Sequence, residues 1–143
     1  MAEQEKSYQP TKKEENPWVM YFIVRSSLDM SAGKTAAQVG HAVGMIYEKY
    51  LKLFAKHSIL SKASVDEISL MQRFEEWDNH ANRKVVLRAD DQQFEKVKKE
   101  LVTFVVRDAG LTEVKAGSET VIGLWPAQKN SFPKIIRQLQ VLK

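Results

Sequence analysis

The pattern of apolar and polar residues predicts four strands along the chain. Residues 18–25 are dense in β-branched and aromatic side chains, which indicates a buried strand. Three shorter apolar runs, at residues 84–88, 102–106 and 120–125, predict further strands. The last two runs follow each other closely, which favours an antiparallel pair and hence a mixed sheet.

Apolar residues at helical spacing predict four helices. Over residues 31–56 they recur every three or four positions, as they do on one face of a helix. The other helices are indicated by N-cap residues: Ser64 in a capping box with Glu67, Asp90 or Asp91, and Ser131 with Pro133 in the first turn. Helices that alternate with apolar strands predict an α/β fold, a three-layer α/β/α sandwich around a mixed, roughly four-stranded sheet.

Length and composition indicate a single-domain protein with an apolar core and without cysteine chemistry. The length of 143 residues and the hydrophobic fraction of 43% fit one domain with a proper core. Residues 1–16 are polar and mixed in charge, so we expect a disordered N-terminal tail followed by a single domain at residues 17–143. The absence of cysteine excludes disulfides, thiol catalysis and cysteine-based metal sites.

The sequence predicts a protein of the cytoplasm. No apolar run approaches the roughly 18 residues that a membrane-spanning helix needs, and the first residues lack the apolar core of a signal peptide. We therefore expect no membrane partner. The formal net charge of +4 permits a polyanionic partner such as RNA without requiring one.

The Gly-Lys-Thr sequence at residues 33–35 opens a predicted helix directly after a strand, as in a nucleotide-binding P-loop. A P-loop also needs a glycine five positions before Gly33, because its backbone must wrap the phosphates, and this position is Leu28. Asp108 faintly resembles the magnesium-binding aspartate at a strand end of such enzymes, but Arg107 intervenes. The sequence therefore disfavours a nucleoside triphosphate site and leaves the role of Lys34 open.

Lys34, Gln38 and His41 lie on one stripe of the predicted helix, roughly opposite its apolar face. Periodicity alone favours a solvated face. A cation in the first helical turn is disfavoured by the helix dipole, however, so another group is expected to offset it. The small residues of this helix permit close packing on the sheet or the approach of a large ligand. The three histidines lack metal-ligand spacing, so no metal site is predicted.

Asp108 follows the third predicted strand, at a position where α/β proteins often carry chemistry. Gly110 then permits a sharp turn with positive φ. An aspartate in this position is as often a turn-former as a catalyst. Thr112 and Thr120 flank the turn and are ordinary strand-forming residues by themselves.

Taken together, these segments resemble the second, archaeal and eukaryotic class of peptidyl-tRNA hydrolase. The resemblance runs in order through residues 18–143, and the combination of motifs is far more specific than any one of them. The matching segments are Tyr21-Phe-Ile-Val-Arg25, Gly33-Lys-Thr-Ala-Ala-Gln-Val-Gly-His-Ala42, Lys84-Val-Val-Leu87, Asp108-Ala-Gly-Leu-Thr112, Gly117-Ser-Glu-Thr120, Val121-Ile-Gly123 and Leu139-Gln-Val-Leu142.

The resemblance implies an enzyme that hydrolyses the ester between peptide and tRNA in peptidyl-tRNA, without metal or organic cofactor. It implies four catalytic residues and two matched positions on the first helix. We add two basic residues, chosen only because they lie near a strand end or the turn, as candidate substrate contacts. The catalytic set is Lys34, Asp108, Thr112 and Thr120, the matched pair is Gln38 and His41, and the added residues are Arg25 and Lys115.

The residues leave the details of the chemistry open. Asp108 is expected to orient or deprotonate a water molecule, with Lys34 as its charge partner. Either residue can make the decisive proton transfer, and a threonine nucleophile is an alternative to water. Trp125 either fills the core or stacks on the terminal adenine of tRNA. The oligomeric state is also open, with a homodimer as one alternative.

The chain departs from the family pattern at five places, one of which is a connection between Phe94 and Val106 that is several residues shorter. Ser27 replaces an aspartate, Ser31-Ala32 replaces Gly-Lys, Leu111 replaces a basic residue, and Leu124–Gln128 replaces a Gly-Pro-rich stretch. Two basic groups near the expected site are thereby lost, which affects tRNA affinity more than chemistry. An alternative function is therefore a catalytically silent module of the same fold that binds RNA or protein.

Overall fold

The structure, a computed structural model, describes residues 15–111 and 113–143. The elements in chain order are β1 (Trp18–Arg25), α1 (Ala32–Ser58), α2 (Val65–Asn79), β2 (Lys84–Ala89), α3 (Asp91–Glu100), β3 (Phe104–Arg107), β4 (Glu119–Gly123), β5 (Ala127–Gln128), α4 (Lys134–Arg137) and β6 (Gln140–Val141). Most of the predicted N-terminal tail lies outside the described residues. Asn16, at its end, accepts a hydrogen bond from the Asn130 amide at 2.9 Å.

One mixed sheet of six strands organises the fold. Five strands lie in the order β3-β4-β1-β2-β6, and β5 pairs with the start of β1. β1 and β2 are parallel, whereas β4 runs antiparallel to both β1 and β3. The predicted mixed sheet is confirmed, but the predicted number of strands was too low. β5 and β6 have only two residues each, which is too short to produce a recognisable apolar pattern.

Helices cover both faces of the sheet, so the predicted three-layer sandwich is confirmed. β1 is central and buried on both sides. Its even-numbered residues, such as Phe22, pack in a core with α1 and α2, while odd-numbered residues such as Ile23 pack in a core with α3 and α4. No helix in the described ranges combines the length and apolarity that a membrane crossing requires.

Side-chain caps fix where the helices begin. The predicted capping box at Ser64 and Glu67 is present, and Asp90 caps α3 in the same way. The predicted cap of the last helix was wrong. The Ser131 hydroxyl donates back to the Gln128 carbonyl at 2.6 Å and closes a 3₁₀ turn, so α4 begins only after Pro133.

Helix α1 lies unusually close to β4. A Cβ atom at Gly123 would be 3.0 Å from the Ile46 Cδ1 atom and 3.3 Å from the Ala42 Cβ atom. A side chain at this position would therefore push α1 away from the strand. This close approach places the first turns of α1 beside the ends of β3 and β4.

We predict that Gly123→Val destabilises the fold by about 1–3 kcal/mol, because the added methyl groups overpack the α1–β4 contact. Gly40→Ala is the matched control. A Cβ at Gly40 meets open space, so replacing a glycine inside a helix should stabilise the protein by about 0.5–1 kcal/mol. Urea unfolding measures both. Equal effects of the two substitutions would contradict the close packing.

Candidate active site

An ion pair joins the start of α1 to the end of β3. The Lys34 Nζ atom lies 2.5 Å from Asp108 Oδ1, although the two residues are 74 positions apart in sequence. The Lys34 side chain is 12% exposed and that of Asp108 only 5%. A pair shielded from water to this extent interacts more strongly than a surface pair. Its burial makes it the first candidate for a reactive centre.

Ser31 and Glu113 hold the first turn of α1. The Ser31 hydroxyl accepts a hydrogen bond from the Lys34 amide at 3.1 Å. The Glu113 carboxylate accepts from the Ser31 amide at 2.9 Å and also from the Ser31 hydroxyl. Two carboxylates, those of Asp108 and Glu113, thus offset the cation that Lys34 places at the positive end of the helix dipole. No local sequence motif indicates Glu113, because its partner lies 82 positions away.

A tight turn positions Asp108. The Gly110 amide donates to Asp108 Oδ2 at 2.6 Å, as in a side-chain-stabilised turn. The backbone of Asp108 is fixed as well, because its amide donates to the Ser118 carbonyl and its carbonyl accepts from the Gly117 amide. Gly110 has φ of +77°, so the positive φ predicted there is confirmed.

A bulge in β4 turns Thr120 toward α1. Val106 pairs with Val121, but the next residue of β3, Arg107, pairs with Glu119, so Thr120 is an extra residue in the ladder. Thr120 and Val121 therefore both face α1, whereas Glu119 forms an ion pair with a lysine of α3. Without the bulge, the alternation of the strand would direct Thr120 to the opposite face of the sheet.

Gln38 connects Thr120 to Asp108. The Thr120 hydroxyl donates to Gln38 Oε1 at 2.6 Å, and Gln38 Nε2 donates to Asp108 Oδ1 at 3.3 Å. Asp108, Gln38 and Thr120 are the buried polar side chains of the described residues, and all three belong to this network. The expectation that the stripe carrying Gln38 lies opposite the apolar face was wrong, since Gln38 is buried whereas Ala36 is exposed.

The network keeps Asp108 ionised. The Lys34 ammonium group holds the pKa of the Asp108 carboxyl below its ordinary value, and the hydrogen bond from the Gly110 amide acts in the same direction. Burial opposes these effects. The Glu113 carboxyl also has a lowered pKa, chiefly because of its hydrogen bonds from the Ser31 hydroxyl and amide.

The ion pair opens into a groove of about 580 Å³ between α1 and β3. His41 is exposed on the wall of this groove and is close enough to Asp108 to lower its pKa slightly. Met45 and Val105 form an apolar section farther along, and Leu111, 87% exposed, lies on the rim. The groove thus exposes the ionised carboxylate of Asp108 and the cation of Lys34 to any molecule that binds in it. Among the described residues, no three histidine or acidic side chains gather in a way that could hold a metal ion.

The two added candidate substrate contacts, Arg25 and Lys115, do not line the groove. Arg25 is not brought to the groove, because strand alternation directs it toward α3, where it forms ion pairs with Asp91 at 2.8 Å and Glu95 at 3.0 Å. Lys115 is exposed on the loop between β3 and β4 and is not among the residues lining the groove. Thr112 lies outside the described residues.

Comparison with known proteins decides the family. A family model described as peptidyl-tRNA hydrolase PTH2 matches residues 18–142. The chain belongs to the PTH2 family. Three similar proteins, each named peptidyl-tRNA hydrolase, come from Methanopyrus kandleri (33% identity, 85% of this chain and 95% of the relative), Pyrobaculum aerophilum (33%, 87% and 97%) and Sulfolobus acidocaldarius (32%, 86% and 98%). The resemblance noted in the sequence is therefore confirmed.

The structure gives a local role to two departures from the PTH2 pattern. Ser31 both caps α1 and binds Glu113, so this replacement adds contacts at the site. Ser27 donates to Asp91 at 2.5 Å and thereby joins the ion-pair network of Arg25, away from the groove. Neither departure touches the Lys34–Asp108 contact itself.

We predict that Gly110→Ala destabilises this PTH2 protein more than Gly117→Ala. Both glycines have positive φ, so both substitutions carry the strain of the left-handed region, about 1–2 kcal/mol. Only at Gly110 would the new Cβ lie 2.6 Å from the backbone of Ala116, which adds about 1–3 kcal/mol of overpacking. Urea unfolding should show this difference. Equal destabilisation by the two substitutions would argue against the observed turn geometry.

We predict a pH dependence of stability that depends on Asp108. The pKa of Asp108 is lower in the folded chain than in the unfolded chain. The ionised carboxylate therefore stabilises the fold at pH values above the unfolded pKa, which is near 3.8, and this stabilisation is lost as the pH falls through the folded pKa. Wild type should therefore melt at a higher temperature than Asp108→Asn at pH 7, and the two melting temperatures should converge below about pH 4. A constant difference down to pH 2.5 would show that the ion pair does not stabilise the fold.

Proposed function

We propose that this protein hydrolyses the ester bond between peptide and tRNA in peptidyl-tRNA, and that the Lys34–Asp108 pair carries out the reaction. Membership of the PTH2 family and the names of its relatives support the activity, and they lend no support to a silent binding module. The observation that supports the assignment of residues is the nearly buried carboxylate with a cation beside it, open to a groove.

The donors among the described residues leave Asp108 room for one more hydrogen bond. A carboxylate offers about four acceptor positions, and Lys34, Gln38 and Gly110 occupy three of them. We assign the remaining position to the attacking water. Because the lowered pKa makes Asp108 a weak base, it orients the water and accepts its proton only as the new C–O bond forms.

Lys34 supplies the positive charge of the site. When water attacks the ester carbonyl, the carbonyl oxygen becomes an oxyanion, and a cation beside the developing charge lowers the barrier. The low exposure of Lys34 strengthens this interaction, since little water screens it. His41, exposed on the groove wall, is placed to contact the substrate.

Thr120 and Gln38 act as positioning residues. The Thr120 side chain is fully buried, and its hydroxyl donates a hydrogen bond to Gln38. The ester carbonyl of a substrate therefore cannot reach it. Gln38 is also buried and uses its amide group on Asp108. We therefore assign both residues to holding the carboxylate, and we favour water over Thr120 as the nucleophile. Thr112 keeps the catalytic role that the family resemblance implies.

The partner that this assignment requires is peptidyl-tRNA. Such a substrate is polyanionic, which agrees with the net charge of +4. Because peptidyl-tRNA arises in translation, we place the protein in the cytoplasm. When the ester C–O bond breaks, Asp108 returns the proton to the departing ribose oxygen, so cleavage releases free tRNA and a peptide with an ordinary carboxylate and requires no cofactor.

We predict that the protein cleaves N-acetyl-aminoacyl-tRNA much faster than free aminoacyl-tRNA. Asp108→Asn should slow cleavage at least 100-fold, because the amide cannot accept a proton, while leaving the circular dichroism spectrum unchanged. Asp91→Asn is a matched control on the opposite face and should keep most of the activity. Binding of the blocked tRNA without cleavage by the wild type would instead establish a binding module. A near-wild-type rate for Asp108→Asn would place the base elsewhere.

A further inference from the structure

β3 is an edge strand that ends at the reactive carboxylate. It pairs with β4 on one side, and no strand of the described residues pairs with its other side, so alternate backbone N–H and C=O groups face away from the sheet. Asp108 follows directly after its last residue, Arg107. A chain lying along this open edge would therefore have one end at the Lys34–Asp108 pair.

A second cavity is lined by residues that are neighbours in sequence of those lining the groove beside β3. On the helix side, Met45 lines the groove, and Lys49, one helical turn later, lines the cavity. On the strand side, Val105 lines the groove and Phe104 lines the cavity. The groove and the second cavity thus lie one after the other along α1 and β3.

The second cavity has a volume of about 340 Å³ and is mainly apolar. Phe104 and Trp125 lie in its wall with their rings roughly stacked, and Val102, 89% exposed, lies at its mouth. The indole N–H of Trp125 donates to the Leu70 carbonyl at 2.9 Å, which fixes the ring as a rigid wall. Lys49 and Arg73 also contribute to the lining.

We propose that the peptide moiety of the substrate binds as an added strand along the open edge of β3, with an apolar side chain in the cavity at Phe104 and Trp125. This inference rests on the proposed function. The ester at Asp108 is the carboxyl end of the peptide, so the peptide runs parallel to β3, with its earlier residues toward Phe104. Backbone hydrogen bonds then provide affinity without requiring one peptide sequence.

Distance favours peptide over nucleotide in the cavity. Phe104 precedes Asp108 by four residues of extended chain, about 13 Å. An extended peptide covers this distance in about four residues. The terminal adenosine carries the ester itself and therefore stays beside Asp108, so it cannot stack on Trp125. An edge of alternating N–H and C=O groups also matches a peptide backbone, whereas a sugar–phosphate chain has no amide donors to pair with it.

Substrate length is the first test. N-acetylated peptidyl-tRNAs with one, two, four and six residues should show kcat/KM rising on the order of tenfold from one to four residues, as expected for a few backbone hydrogen bonds, and then levelling off. N-methylation of single peptide bonds in the six-residue substrate should lower kcat/KM about fivefold at alternate positions only, because only alternate residues face β3.

A pair of variants tests the cavity. Val102→Glu places a charge at its mouth, and Val65→Glu places the same charge at an equally exposed valine at the start of α2, 83% exposed. The ratio of kcat/KM for the six-residue to the one-residue substrate should fall about tenfold in Val102→Glu. This ratio should be unchanged in Val65→Glu.

Binding of the released peptide provides a readout that does not need turnover. Titration of the full-length protein with the N-acetyl hexapeptide acid should shift the amide resonances of residues 104–107. Cleavage that is independent of peptide length, with no such shifts, would overturn the inference while leaving the proposed function intact. No cleavage of any ester, with the shifts present, would overturn the function and keep the peptide site. A homodimer that pairs through β3 would also overturn the inference. It would be detected by sedimentation together with protection of the β3 backbone amides from hydrogen exchange.

Discussion

The ion pair between Lys34 and Asp108 is the constraint on which the site depends. Lys34 stands in the first turn of a 27-residue helix, where the helix dipole opposes a cation, and Asp108 stands nearly buried, where an isolated charge is disfavoured. Each residue offsets part of the cost of the other's position. The pair therefore ties α1 to the end of β3, and removing either member leaves a shielded charge without its counterion.

Two irregularities of the backbone serve this pair. The turn at Gly110 directs an amide to one oxygen of Asp108, and the bulge at Thr120 brings a hydroxyl to Gln38, which holds the other oxygen. Such local strain and disrupted pairing are expected where a site must be fixed rather than where a sheet must be regular. Within the part of the chain that the structure describes, no further strand pairs with β3, and Asp108 follows directly at the end of this edge.

Features with local causes could be predicted from the sequence. The strand at Trp18–Arg25 and the capping box at Ser64 depend on neighbouring residues, and both are present as predicted. The association of Lys34 with Asp108 was suggested only by family resemblance, because nothing local links residues so far apart. The contact of Glu113 with Ser31 and the bulge in β4 depend on strand register and loop packing, so no periodic pattern predicts them. The placement of Gln38 was mispredicted because one face of α1 packs against buried polar groups instead of the apolar core.

A double-mutant cycle on ester cleavage tests whether Lys34 and Asp108 act as one catalytic unit. The variants are Lys34→Met, Asp108→Asn and the double variant, each assayed for kcat/KM with the same N-acetylated peptidyl-tRNA. Residues that act as one catalytic unit lose their joint contribution when either is removed, so the double variant should be about as slow as the slower single variant. Losses that multiply in the double variant would show that Lys34 and Asp108 act independently and would contradict this account.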